Sequence, residues 1–324
     1  MQRHRVGTTD IELSAVGLGG AWLGHQVDDA TEVAQAHAAL AAAEESGVNW
    51  VDTSENYFDT GNEAVLGPAL RSMPESFLVC SKAAPGAVHS GGGSGFRPEQ
   101  IRQACQGSLR RLGRDHLDLY LLHWPDRTGV PLADTWGAMA GLVDAGFVRT
   151  IGLSNYGQDD IARCHHDRPV DVIQTGLSVI DYLDDRDMIA WCGREGIAVT
   201  IYEPLASGLL TDVPFEQVRD RWADSPWEDV TIYPELMCRE NAEPVRQIVD
   251  GLRRVADQLD ASVARVAIAW VLAQPGVCST LVGSANVERV RSNAAGGDLV
   301  LTDEALKIID EELIPLTAQF AVRN

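Results

Sequence analysis

Four polar side chains fall where they can work together on a proton. Asp52 closes the apolar run Asn49-Trp50-Val51, and Tyr57 follows it on a short polar loop. Lys82 stands just past the next apolar run, Phe77-Leu78-Val79-Cys80-Ser81. His123 stands past Leu117-Asp118-Leu119-Tyr120-Leu121-Leu122. A phenol titrates near roughly 10, so a tyrosine serves as a proton donor near neutral pH only where its surroundings lower that value. A buried lysine cation does this, and such a cation needs a carboxylate to hold its charge. The expected apparatus is Tyr57 as donor, Lys82 and Asp52 as the pair that tunes it, and His123 orienting or polarising a carbonyl oxygen.

Each residue taken alone has an ordinary alternative. A loop tyrosine commonly packs, an aspartate after a strand commonly caps a helix, and a lysine is commonly solvated. His123 is harder to dismiss, because an idle imidazole at the end of so apolar a strand is costly to bury.

The four act together only if the fold carries their strand ends to one place. After an N-terminal hairpin pattern (5–13), the first strand reads Ala15-Val16-Gly17-Leu18-Gly19. Seven more strands centre on Val51, Val79, Leu119, Ile151, Val172, Val199 and Leu281. Amphipathic helices are expected at 31–46, 61–71, 97–112, 133–145, 157–165, 186–195, 262–273 and 286–294, with a last outer helix at 303–313. Eight strands alternating with eight helices predict an α/β fold, a (β/α)8 TIM barrel, with 1–324 as a single domain. The rival, an open doubly wound sheet, lacks its Gly-rich turn, since Gly17-Leu18-Gly19-Gly20 misses the third glycine. The later strands end in Ser154-Asn155, Gln174, Tyr202-Glu203 and Gly283-Ser284. All are C-terminal ends, the face on which barrels keep their active sites. Two long loops, 83–96 and 211–240, are expected at the active site.

The net charge of −21 argues against nucleic acid or an anionic membrane as partner. No apolar run approaches the roughly 20 residues that span a bilayer, and the start lacks a signal-like apolar segment, so a cytoplasmic protein is expected. The six scattered cysteines read as reduced, mostly buried thiols. Cys164-His165-His166 is no metal site on this reading, because adjacent helix residues point in different directions.

Six segments together resemble the aldo-keto reductase superfamily over essentially the whole chain. They are Val51-Asp52-Thr53-Ser54-Glu55-Asn56-Tyr57, Cys80-Ser81-Lys82, Leu122-His123-Trp124-Pro125-Asp126, Ile151-Gly152-Leu153-Ser154-Asn155-Tyr156, Tyr202-Glu203-Pro204-Leu205-Ala206-Ser207-Gly208-Leu209-Leu210 and Val282-Gly283-Ser284-Ala285-Asn286-Val287-Glu288-Arg289. The seventh-strand run looks closer to the bacterial sugar- and carbonyl-reducing branches, and to potassium-channel beta subunits, than to the vertebrate steroid and aldose reductases.

The resemblance implies the tetrad Asp52, Tyr57, Lys82 and His123. It also implies a nicotinamide cofactor lying across the barrel mouth. Ser154, Asn155 and Gln174 would hold the carboxamide, and Tyr202 would stack on the ring. Pro204, Leu205, Ser207, Gly208 and Leu209 would form the pyrophosphate groove. Gly283, Ser284 and Arg289 would lie at the adenosine 2′-phosphate, with Asn293 near adenine. Vertebrate relatives place a lysine where Gly283 stands and often an acid where Ser292 stands. Arg289 is the charged group left for a 2′-phosphate, which favours NADP(H), with NAD the alternative.

Trp22 and Trp124 are expected to wall a pocket for a small carbonyl or alcohol, a sugar-derived one being the branch expectation. Trp222, Trp227, Arg97 and Arg127 are further candidates at the mouth. An NAD-linked sugar dehydrogenase and a slow, cofactor-binding regulatory subunit remain as alternative readings. The oligomeric state stays open.

Overall fold

The computed structural model describes residues 1–84, 96–181, 185–223 and 236–321. Most of the 83–96 loop and part of the 211–240 segment, including Trp227, lie outside the described residues.

Eight parallel strands close into the expected barrel: β3 (Val16–Gly19), β4 (Trp50–Asp52), β5 (Leu78–Ala83), β6 (Leu117–Leu122), β7 (Val148–Ser154), β8 (Val172–Gly176), β9 (Ala198–Tyr202) and β10 (Val277–Val282). Closure comes from β10 pairing with both β3 and β9, Leu281 opposite Gly17 and Thr280 opposite Ile201. The strands are buried on both faces, which is why they read as continuous apolar runs. The hairpin is also present, with β1 (Arg3–Arg5) antiparallel to β2 (Glu12–Ser14).

The hairpin has a structural purpose. Its Val6, Ile11 and Leu13 join Trp50, Leu78, Leu119, Leu121, Val172 and Leu281 in one apolar cluster that fills the barrel interior. Trp50 is fully buried there, and its indole N–H donates to Ser14 O at 3.4 Å. Gly17 makes room for it, since a Cβ at that position would stand 2.2 Å from the Trp50 ring. This apolar cluster lies beneath the mouth, and the polar strand ends gather at the C-terminal end.

Helices α1 (Ala30–Glu45), α2 (Gly61–Leu70), α3 (Pro98–Leu112), α4 (Leu132–Asp144), α5 (Gln158–Asp167) and α6 (Arg186–Arg194) lie within a residue or two of expectation. Two helices were not expected. One is α7 (Phe215–Ala223), inside the 211–240 segment, and the other is α8 (Ala242–Gln258). Counting one helix per strand left no place for α8. It buries Val245, Ile248, Val249, Leu252 and Val255 at helical spacing, against α9 (Val263–Leu272) and the C-terminal segment. α10 (Val287–Ala294) and α11 (Asp303–Lys307) follow, and the chain then continues as a wider helical turn over Ile308–Leu313. Among the described residues no helix is long and apolar enough to cross a membrane, and no cysteine is in a disulfide.

Candidate active site

Strand register brings the polar tips level. Asp52 ends β4 beside Gly19 and Cys80, Lys82 pairs with Leu121 one residue short of the end of β6, and Ser154 pairs with Gln174. Lys82 is fully buried beneath the mouth, and its ammonium donates to Asp52 Oδ1 at 2.5 Å, Thr53 O at 3.0 Å and Tyr57 Oη at 3.3 Å. Burial is the strongest single influence and pulls this lysine toward neutrality, but the charge and hydrogen bond of Asp52, joined by Tyr57 and Cys80, together hold the ammonium above its ordinary range. The other Asp52 oxygen accepts from Gln174 Nε2 at 3.0 Å, so the buried acid has a partner on each side.

Tyr57 departs from expectation in one respect. Burial lifts its phenol above the ordinary value, and the nearby Lys82 ammonium offsets this only in part. Lys82 does pull in the expected direction, but the net shift is upward because the phenolate would lose more hydration than one ammonium returns. The phenol therefore stays protonated through the neutral range, which suits a proton donor.

His123 sits edge-on to Tyr57, ring centroids 5.6 Å apart, and stacks on Trp124 at 5.1 Å. Its Nδ1 lies 3.0 Å from Ser54 Oγ. Asn155, in the left-handed region at φ 64°, donates from Nδ2 to His123 O at 2.9 Å and accepts from Tyr202 Oη at 2.6 Å. That bond fixes the Tyr202 ring, which rests close over Gly176. Tyr156 donates to Trp124 O at 3.0 Å and holds the tryptophan backbone in place.

Asp52, Tyr57, His123, Trp22, Trp124, Ser154, Asn155, Gln174 and Tyr202 line one cavity at the mouth. A second hollow runs on from it past Pro204, Leu205, Ser207 and Gly208 to Gly283, Ser284, Arg289 and Asn293. The two share Trp22, Glu203, Ser207, Trp222, Leu281 and Gly283, so they form one continuous groove. Gly283 is needed where it stands, since a Cβ there would meet Gly19 O at 2.9 Å.

An elongated dinucleotide fits this groove. Amide and hydroxyl groups of Ser154, Asn155 and Gln174 stand at the tetrad end. Arg221 and Arg289 line the second hollow, and among the described residues neither guanidinium is in an ion pair, whereas Arg291 is held by Glu45 and Glu288.

The Aldo/keto reductase family profile matches residues 15–314. This chain belongs to the aldo-keto reductase family. The NADH-specific methylglyoxal reductase of Escherichia coli (strain K12) is 29% identical, covering 96% of this chain and 98% of that protein. A glycerol dehydrogenase of Gluconobacter oxydans superposes with a TM-score of 0.81 at 25% identity, covering 99% of this chain and 97% of that one. An aldo/keto reductase from Klebsiella pneumoniae, solved in complex with NADP and acetate, superposes with a TM-score of 0.73 at 29% identity, covering 96% and 95%.

Of the tetrad, cofactor and pocket-wall residues expected at this aldo-keto reductase's site, all but Lys82 and Leu209 line the groove. Lys82 lies beneath it. Leu209, after the short turn Ala206–Gly208, is 2% exposed and packs in the core rather than lining the groove. Arg97 and Arg127 do not line the groove.

Sequence reasoning passed over Asn56, Glu203 and Arg221 as site residues. Glu203 had a signal, as an acid at a strand tip. Its φ is 57°, and its carboxylate accepts from the Ser207 amide and, at 3.0 Å, from the Ser207 hydroxyl. Burial raises this carboxyl, and the two Ser207 bonds counter that in part. Arg221 had none, because α7 was unforeseen.

Behind Tyr57 the reductase also buries Glu55. It accepts from Ala84 N at 2.7 Å and lies 4.0 Å from Arg111. Burial pushes its carboxyl up to about 7 from 4.5, with the Ala84 bond opposing and Glu63 adding to the rise. The folded chain therefore binds this proton more tightly than the unfolded chain does. Stability is fully present below the unfolded value and falls as pH rises through the folded one. Glu55→Gln is expected to match wild type at pH 4.5 and to exceed it at pH 8 by about 3 kcal/mol. Urea midpoints at the two pH values check this.

Proposed function

We propose that this enzyme interconverts a small carbonyl and its alcohol using NADP(H), with Tyr57 as the general acid in reduction. The observation that carries the reading is the Asp52–Lys82–Tyr57 chain opening on the same groove that two arginines line without ion pairs among the described residues. The nicotinamide, when bound, supplies the hydride. This chain's residues do the rest.

Negative charge grows on the carbonyl oxygen as reduction proceeds. Tyr57 and His123 are the donors placed where it grows, and Tyr57 gives up its proton. Lys82 lies behind the phenol and stabilises the phenolate left by that transfer. Because the phenol is protonated at neutral pH, reduction is the direction it serves best there. Oxidation needs the phenolate and gains as pH rises. Trp22, Trp124 and Trp222 wall the substrate end. The Trp124 indole N–H is buried with no partner among the described residues, a donor available to a polar substrate group. Such walls suit a small, partly polar carbonyl such as a sugar-derived aldehyde or ketone.

The cofactor reading rests on Arg289. It stands in the first turn of α10 and lines the groove together with Ser284, Ser292 and Asn293. Charge-assisted bonds from its guanidinium suit a 2′-phosphate. Arg289→Ala is expected to weaken NADPH binding by about 10- to 100-fold and to leave NADH affinity unchanged. Titration of both nucleotides by quenching of tryptophan fluorescence measures this. Unchanged NADPH affinity overturns the assignment.

A specific observation favours NADH as the second reading. Glu203 and Asp212 line the same groove, and their carboxylates oppose added phosphate charge. The name of the Escherichia coli relative points the same way. Tighter NADH than NADPH binding in wild type would decide for it.

A further inference from the structure

The proposed function needs His123 to face the substrate as a donor, so the proton must sit on Nε2. Histidine alone does not ensure this, since neutral imidazole carries its proton on either nitrogen and the partner of the other nitrogen selects which. Here that partner is Ser54, which is fully buried. Its hydroxyl oxygen lies 3.0 Å from His123 Nδ1 and 2.7 Å from Asn56 Oδ1. Lys82 O, at 3.5 Å, is a distant third.

A hydroxyl has one proton to give. If Asn56 turns its carbonyl to Ser54, the hydroxyl donates to that oxygen. Ser54 Oγ is then left as an acceptor, Nδ1 carries the imidazole proton, and Nε2 is a bare lone pair. If Asn56 turns its NH2 to Ser54, the amide donates to Oγ. The hydroxyl proton then goes to Nδ1, and Nε2–H is the donor. The two ends of an amide have nearly the same shape, so this exchange moves no atom position appreciably.

We infer that Ser54 and Asn56 are positioning residues that set which nitrogen of His123 carries the proton, the end of the Asn56 amide facing Ser54 selecting the form. This inference rests on the carbonyl-reduction reading for its catalytic meaning, but the tautomer itself can be read without cofactor or substrate. Asn56 lines the groove, so whatever binds there can select its orientation. The mechanism of the tetrad does not otherwise use either residue.

The test is nitrogen-15 NMR of the histidine rings in the cofactor-free protein, at a pH where imidazole is neutral. The His123 signals are assigned by their loss in His123→Gln. Asn56→Asp leaves only acceptors facing Ser54, so the Nδ1–H form is expected to predominate. Asn56→Ala removes that acceptor, so the Nε2–H form is expected. Ser54→Ala is expected to give a mixture, and Ser54→Thr to restore the wild-type ratio by restoring the hydroxyl. Turnover is expected to follow the donor form: kcat falls about 100-fold in Asn56→Asp, as for loss of one donor to a developing oxyanion, and far less in Asn56→Ala.

Equal tautomer ratios in Asn56→Asp and Asn56→Ala overturn the inference, as does a wild-type ratio in Ser54→Ala. Failure of the functional reading is separate, because it appears as absent carbonyl turnover in wild type, or turnover that survives in Tyr57→Phe, whatever the NMR shows.

Discussion

Tyr57→Phe is expected to lower kcat for carbonyl reduction by about 1,000-fold, within the span general acids contribute, while NADPH affinity stays within about twofold. The substitution removes one hydroxyl and leaves a ring of nearly the same shape. It costs Lys82 a hydrogen bond at 3.3 Å but keeps those to Asp52 and Thr53 O. The fold should therefore survive, and the loss should fall on the chemical step. Steady-state reduction of a generic aromatic aldehyde, with nucleotide binding measured separately, tells the two apart. Retained turnover would mean that another group delivers the proton. Tight nucleotide binding with negligible wild-type turnover across a carbonyl panel would favour a regulatory subunit.

Lys82→Met is expected to destabilise the barrel by about 3–5 kcal/mol, because it strands the Asp52 carboxylate in the interior with neutral partners, Gln174 Nε2 and the Cys80 thiol, and no cation. Activity is expected to vanish with it, since no cation then stabilises the phenolate. The double variant Asp52→Asn/Lys82→Met removes both charges and is expected to regain most of the stability and none of the turnover. Chemical denaturation of the three proteins checks this. Wild-type stability in the single variant would show that Asp52 has another way to satisfy its charge.

The tetrad was legible in the sequence because an (β/α)8 barrel turns chain order into place. A strand buried on both faces reads as an apolar run, and the first polar residue beyond it marks the mouth. Asp52, Lys82, His123 and Gln174 follow that rule, and so does Glu203, whose role was still missed. α8 was not legible as part of the fold. Its periodicity is strong, but nothing local to 242–258 says that a barrel needs a helix beyond one per strand. Leu209 belongs to a run that looks like a groove wall, yet the side a leucine faces in a tight turn depends on backbone angles that a one-dimensional pattern does not carry.

By itself, then, the sequence determined the barrel and the face on which its polar strand ends gather, because apolar periodicity and strand-end chemistry are local properties. Tertiary structure alone decided the quantities that depend on distance and burial. The direction of the Tyr57 shift is a contest between lost hydration and a neighbouring ammonium. The Ser54–Asn56 contact to His123 joins loops 69 residues apart in the chain. The groove's balance of charge comes from Glu203, Asp212, Arg221 and Arg289, which meet only after the barrel has closed.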